Sequence, residues 1–247
     1  MLEKILDYER VLFLQLNSIH SPFGDQFMWL YSGTVGWIPL VVCFIILLFY
    51  ANRTRWKEVL LIVVAIAVTI LMSDQFASGL CKPFFARYRP TFHPDFMNDV
   101  MTVFDYRGGR YGFISSHAAN GFGFATVTSL IFRKKIYTVS LFLWATVSAY
   151  SRIYLGVHFI SDIIPGILAG LFFGWTGYQL FALVHKKIFC HLFVEKDDAP
   201  SLLTNKKSLY PCNGIKSTLS FLLVTIVLMV IISALYTFHL IPAVLIK

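Results

Sequence analysis

Long apolar runs separated by short polar stretches dominate the chain. Runs close to the roughly 20 mostly apolar residues that a helix needs to cross a bilayer fall near 27–50, 59–80, 113–132, 136–156, 160–184 and 217–241. They predict six transmembrane helices. The stretches roughly at 81–112 and 185–216 fall short of the usual domain size, so residues 1–247 are expected to form one all-α membrane domain. Ahead of the runs, Ile5, Tyr8, Leu12 and Leu16 share one helical stripe bordered by Glu9, while Glu3, Lys4, Asp7 and Arg10 fall elsewhere. That pattern predicts an amphipathic helix lying in the membrane interface and ended by Asn17-Ser18. The acidic residues and the lack of a small-residue cleavage site argue against a removable signal peptide.

Composition agrees with this reading. Of 247 residues, 57% are hydrophobic and 14% charged, and the mean hydropathy is +0.69, outside the balance of a soluble domain. Lys and Arg gather after the first run (Arg53, Arg55, Lys57), the third (Arg133, Lys134, Lys135) and the fifth (Lys186, Lys187, Lys196, Lys206, Lys207, Lys216). The positive-inside rule makes that side cytoplasmic and turns both termini outward. The net charge of +8 is thus a matter of topology plus a local cationic cluster. With no basic module of nucleic-acid-binding type, no nucleic-acid partner is expected. Cys43, Cys81, Cys190 and Cys212 have neither CxxC nor metal-ligand spacing, so no disulfide, metal or cofactor is expected. Glu195–Lys207 reads as a cytoplasmic loop.

Basic residues outside that pattern concentrate where chemistry can use them. Lys82, Arg87 and Arg89 follow the second run, with Pro83 and Pro90 fixing the backbone on either side. Ser115-Ser116-His117 opens the third run; either serine can cap the helix and leave backbone N–H groups and the positive dipole end facing an anion. In Ser151-Arg152…His158…Asp162 the last two residues are four apart, so their side chains share a helical face. A carboxylate there accepts from one imidazole nitrogen and leaves the other basic and aimed. Gly156 lets the chain turn and brings Arg152 to the same place. Each stretch also has a plainer reading, as snorkelling cations, a packed histidine or a helix-end hydrogen bond. Asp74, inside the second run, must face protein or water because an acidic group costs about 2.5–3.5 kcal/mol at mid-membrane; a structural role beside Lys82 or an arginine is expected.

Taken together, Lys82-x6-Arg89-Pro90, Ser115…His117 and Ser151-Arg152-x5-His158-x3-Asp162 resemble the type 2 phosphatidic acid phosphatase family, whose pattern is K-x6-R-P, P-S-G-H and S-R-x5-H-x3-D. The resemblance covers roughly residues 57–185, and Ile114 and Ser116 replace the family's proline and glycine. It implies that His158 is a nucleophile forming a phosphohistidine, that Asp162 orients it, and that His117 protonates the leaving oxygen. It also implies that Lys82, Arg89, Ser115, Ser116 and Arg152 hold the phosphate, in the bacterial inner membrane with the site facing the periplasm. No metal is needed for such chemistry, since phosphoryl transfer is mostly positioning and charge stabilisation.

The partner is then the phosphate of a membrane lipid within the bilayer. Undecaprenyl pyrophosphate, phosphatidylglycerol phosphate, phosphatidic acid and lipid A all fit the motifs. The loop from Thr91 to Arg110 is the candidate selector, and Arg107 and Arg110 are candidates for gripping a second phosphate or a sugar, favouring lipid A or a pyrophosphate. The Ser-Ser-His variant and this loop resemble those of lipid A phosphatases of anaerobic gut-type bacteria. A transporter is the alternative of another class, but inverted repeats or paired interrupted helices are not seen. Vanadate-dependent haloperoxidases share the motifs but are soluble.

Overall fold

The computed structural model describes residues 2–52, 55–193 and 212–238. Its regular elements are helical throughout. They are α1 (Leu2–Asn17), α2 (Pro22–Ser32), α3 (Ile38–Ala51), α4 (Trp56–Asp74), α5 (Lys82–Phe85), α6 (Ser116–Phe132), α7 (Lys135–Tyr154), α8 (Ile160–Phe193) and α9 (Cys212–Thr237). A π-helical segment, Gln75–Cys81, joins α4 to α5 without a break in the rod. The loop expected at Glu195–Lys207 lies outside the described residues.

Among the described residues, Trp56–Phe85, Ile160–Ile188 and Ser217–Thr237 are long and apolar enough to cross a membrane. The run at 27–50 is not one straight helix. It divides into α2 and α3, bent by 70° across a single 3-10 turn. Gly33 follows α2 and Pro39 stands in the first turn of α3, where its missing N–H costs nothing, so a new helix starts there. The runs at 113–132 and 136–156 form α6 and α7. With 17 residues, α6 lies at the short end of the range for a span, and its Ser, Asn, Gly and Thr residues suit an interior position rather than lipid.

That interior position organises the bundle. α6 packs most extensively on α8, and also on α4 and α7. The α6–α8 contact is backbone against backbone: a Cβ placed on Gly170 would lie 2.5 Å from the Ala119 carbonyl oxygen, and one on Gly166 would lie 2.7 Å from that of Ser115. Small residues thus draw the two helices together, as in membrane bundles generally. Farther from the site, Phe44, Leu48, Ile62, Phe132, Tyr137 and Phe181 fill the core.

The N-terminal helix forms over the predicted residues and ends at Asn17, and it meets the rest of the protein through the face that carries Phe13. Tyr8 is 77% and Leu12 47% exposed, whereas Phe13 is fully buried against Phe159 and Phe96. The inward face carries Glu9, Phe13 and Asn17, whose amide donates to the carbonyls of Met101, Ile153 and Tyr154. Tyr8 and Leu12 of the apolar stripe therefore face outward, which suits a helix lying in the interface, while Leu16 packs with Phe13 against the core.

Candidate active site

The chain brings all three sequence stretches to one end of the bundle. The end of α4 delivers the first. Widening into a π-helix over Gln75–Cys81 shifts the side-chain register just before Lys82, a device frequent at functional sites. The half-buried Lys82 Nζ donates to Ser78 Oγ at 2.9 Å and to Ser116 Oγ at 3.2 Å. Asp74 does not pair with Lys82 directly. It accepts from Asn120 Nδ2 at 3.2 Å and faces Ser78 Oγ at 3.5 Å, so it reaches the lysine through that hydroxyl.

After α5 the backbone passes through a left-handed residue, Ala86, and pairs Tyr88 with Tyr111 in an antiparallel bridge. Arg89 is buried there, its Nε donating to the Tyr111 carbonyl at 3.1 Å and a terminal N–H pointing to the Val157 carbonyl at 3.5 Å. Arg110, one of the two candidates for headgroup selection, is exposed beside the bridge. It donates to Tyr88 Oη at 2.9 Å and lies over the rings of Tyr88 and Tyr111, 5.1 and 5.7 Å from their centres. Arg107 is also exposed.

Ser115 is the N-cap of α6, its hydroxyl accepting from the Ala118 N–H. Its own N–H donates to the Asp162 carbonyl at 3.0 Å, tying the start of α6 to the start of α8. Ser116 and His117 follow in the first turn, where the cations Arg152, Arg89 and Lys82 act on His117 and His158 lies close by. At the end of α7, Arg152 is 3% exposed. It donates to Ser32 Oγ and, at 3.3 Å, to Tyr106 Oη, while its Nε is buried without a partner. Gly156 makes the turn into α8 at a φ of 74°, in the left-handed region.

His158 is 1% exposed, and its Nδ1 faces Asp162 Oδ2 at 3.4 Å. The same oxygen accepts the Phe159 N–H at 3.0 Å, so Asp162 caps the start of α8 while it faces the imidazole. Its other oxygen accepts from Arg87 at 2.8 Å. Burial, followed by the Arg89 and Arg152 cations, holds the His158 pKa well below the ordinary imidazole value. The ring is neutral at physiological pH.

Two residues absent from the motifs thus enter the site: Arg87, and behind it Glu9 of α1, which accepts from Arg87 at 2.9 Å. The burial cost of an ionised Asp162 was a signal for the first, since such a carboxylate needs a cation. Nothing local in the sequence pointed to the second. Among the described residues, no group of His, Cys, Asp and Glu is arranged to hold a metal.

A neutral buried imidazole with a carboxylate beside it and the cations Lys82, Arg89 and Arg152 as charged neighbours has the make-up for attack on an anionic phosphorus group. In a bundle with helices of membrane length, such equipment defines a membrane phosphatase acting on a lipid phosphate ester. Residues 58–186 match the family model described as PAP2 superfamily, and the chain belongs to that superfamily. It is 48% identical over 180 residues to a lipid A 4'-phosphatase of Porphyromonas gingivalis, covering 73% of this chain and 75% of that protein. It is 38% identical to a lipid A 4'-phosphatase of Bacteroides thetaiotaomicron, covering 72% and 79%. The crystal structure of the first transmembrane PAP2 type phosphatidylglycerolphosphate phosphatase from Bacillus subtilis superposes with a TM-score of 0.55 over 75% of this chain and 88% of that one. Its 20% identity makes this a likeness of fold.

Proposed function

We propose that this protein removes a phosphate monoester from lipid A, at the periplasmic face of a bacterial inner membrane, through a phosphohistidine. The observation that carries the mechanism is the buried His158 with its Nδ1 toward Asp162 and with Lys82, Arg89 and Arg152 as its charged neighbours. On this reading Nε2 attacks phosphorus. As the N–P bond forms, the P–O bond to the lipid breaks, and His117 gives its proton to the departing alkoxide. Water then attacks the phosphohistidine, His117 takes its proton, and inorganic phosphate leaves. The unpartnered Nε of Arg152 and the hydroxyl protons of Ser115 and Ser116 supply further donors to the phosphoryl oxygens.

The choice of lipid A, and of its 4'-phosphate, rests on the names of two relatives. Arg110, spread over Tyr88 and Tyr111 beside the site, gives a cationic and aromatic rim suited to a phosphorylated sugar. The periplasmic placement follows from the Lys and Arg pattern and the six-span reading, which put the motifs opposite Arg55, Arg133 and Lys186.

The test is phosphate release by the detergent-purified protein from bisphosphorylated lipid A, undecaprenyl pyrophosphate, phosphatidylglycerol phosphate and phosphatidic acid, with product mass spectrometry to locate the lost group. Release of the 4'-phosphate from lipid A, abolished in His158→Ala, is the expected result. Faster release from another lipid overturns the substrate, and a fully active His158→Ala overturns the nucleophile.

A further inference from the structure

We infer that the N-terminal helix is part of the catalytic apparatus, Glu9 acting through Arg87 to hold Asp162 where it orients His158. The inference rests on the histidine-nucleophile reading above. Glu9 lies outside the matched residues 58–186 and 152 positions from its neighbour Ser161.

Four contacts carry the argument. Glu9 Oε2 accepts from Arg87 at 2.9 Å, and Glu9 Oε1 accepts the Ser161 N–H at 2.8 Å. Arg87 in turn donates to Asp162 Oδ1 at 2.8 Å and to the Ser161 hydroxyl. Its guanidinium also lies over the Phe159 ring, 4.5 Å from the centre, which leaves it little freedom. The side chain of Asp162 is fully buried and that of Glu9 is 12% exposed, so solvent screens these charges weakly.

The arrangement does two separable things. As a cap, Glu9 satisfies a donor in the first turn of α8 and places negative charge at that helix N-terminus. As a charge partner, it fixes the fork of Arg87 so that the fork's other arm meets Asp162. One Asp162 oxygen is committed to the Phe159 N–H and the imidazole, so the carboxylate plane depends on what grips the other. That grip is Arg87. Glu9 and Arg87 are positioning residues, since neither reaches the phosphorus.

Charge and cap separate in Glu9→Gln, whose amide oxygen still accepts the Ser161 N–H while the charge facing Arg87 is gone. Turnover of para-nitrophenyl phosphate and of bisphosphorylated lipid A is measured for the parent, Glu9→Gln, Glu9→Asp, Arg87→Gln and the double variant Glu9→Gln/Arg87→Gln. Only variants that elute monodisperse are read. In Glu9→Gln kcat falls on the order of tenfold or more, as when a reacting group is slightly misplaced, with KM little changed. Vanadate inhibition weakens in step with kcat/KM, because the analogue engages the oriented imidazole. Glu9→Asp, which keeps the charge, retains more turnover than Glu9→Gln. The double variant is no slower than Arg87→Gln alone, as expected for residues acting in series. Parental kcat in Glu9→Gln, or losses that multiply in the double variant, overturns the inference. Phosphate release by the parent and its loss in His158→Ala test the underlying reading independently, and the aryl phosphate keeps both apart from the choice of lipid.

Discussion

Lys82 Nζ donates to Ser116 Oγ at 3.2 Å, so the hydroxyl standing where the family pattern has glycine is a partner of the first motif's lysine. The departure joins the first and second motifs. A neutral hydrogen bond is worth about 0.5–1.5 kcal/mol net, and more with a charged partner. Ser116→Gly should therefore raise KM for lipid phosphate about 2- to 10-fold through loosened lysine placement, with a smaller change in kcat. Steady-state kinetics on the purified variant check this.

His117 stands in the first turn of α6, and its proposed task is to protonate the departing oxygen. A general acid contributes about 10²–10⁴ in rate, and a good leaving group needs it least. His117→Ala should lose that much turnover on lipid A and distinctly less on para-nitrophenyl phosphate. Equal losses on both substrates would assign His117 another role.

Burial and the Arg89 and Arg152 cations hold His158 well below the usual imidazole pKa of 6.5. The neutral nucleophile therefore persists as pH falls through 6.5, and the acid limb that His158 imposes on kcat/KM lies below that value. Arg89→Gln removes one cation, so the acid limb of its residual activity should move to higher pH than in the parent, measured on the same substrate. Stability has the same sign: below about pH 6.5 the unfolded chain binds the proton first, so the folded protein loses stability as pH drops.

A Cβ at Gly112 would lie 3.0 Å from Asp162 Oδ2 and 3.1 Å from Arg89 Cγ, whereas one at Gly109 meets nothing within 4 Å. Gly112→Ala should lower kcat/KM on the order of 10- to 100-fold by displacing site groups, while Gly109→Ala keeps parental activity. The thermal unfolding midpoint of each variant in detergent separates misplacement from unfolding.

How much of this was legible in the sequence differed by residue. Hydrophobic runs located the helices, because burial in apolar surroundings is written into composition. The motifs located Lys82, Arg89, Ser115, His117, Arg152, His158 and Asp162, because their local spacing carries them. The split at Gly33 was missed: the residues of α2 and α3 are apolar on both sides of the bend, and periodicity alone cannot show a change of axis. The face by which α1 meets the rest of the protein was not legible, because Glu9 and Asn17 turn inward to meet distant backbone groups. Arg87 was visible but had no assigned partner; its pairing with Asp162 spans 75 positions and comes from tertiary folding. The π-helical register shift before Lys82 left no pattern to read.

The close approach of α6 and α8 at Gly166 and Gly170 has an evolutionary corollary. One helix carries His117 and the other follows directly on His158, so the spacing of the two histidine-bearing segments is gauged by main chain in contact, and a larger residue at Gly166 or Gly170 would push them apart. Selection for new substrates is thereby deflected away from the reacting pair. The parts that bear neither histidine, such as the rim from Thr91 to Arg110, are where a change leaves that gauge untouched.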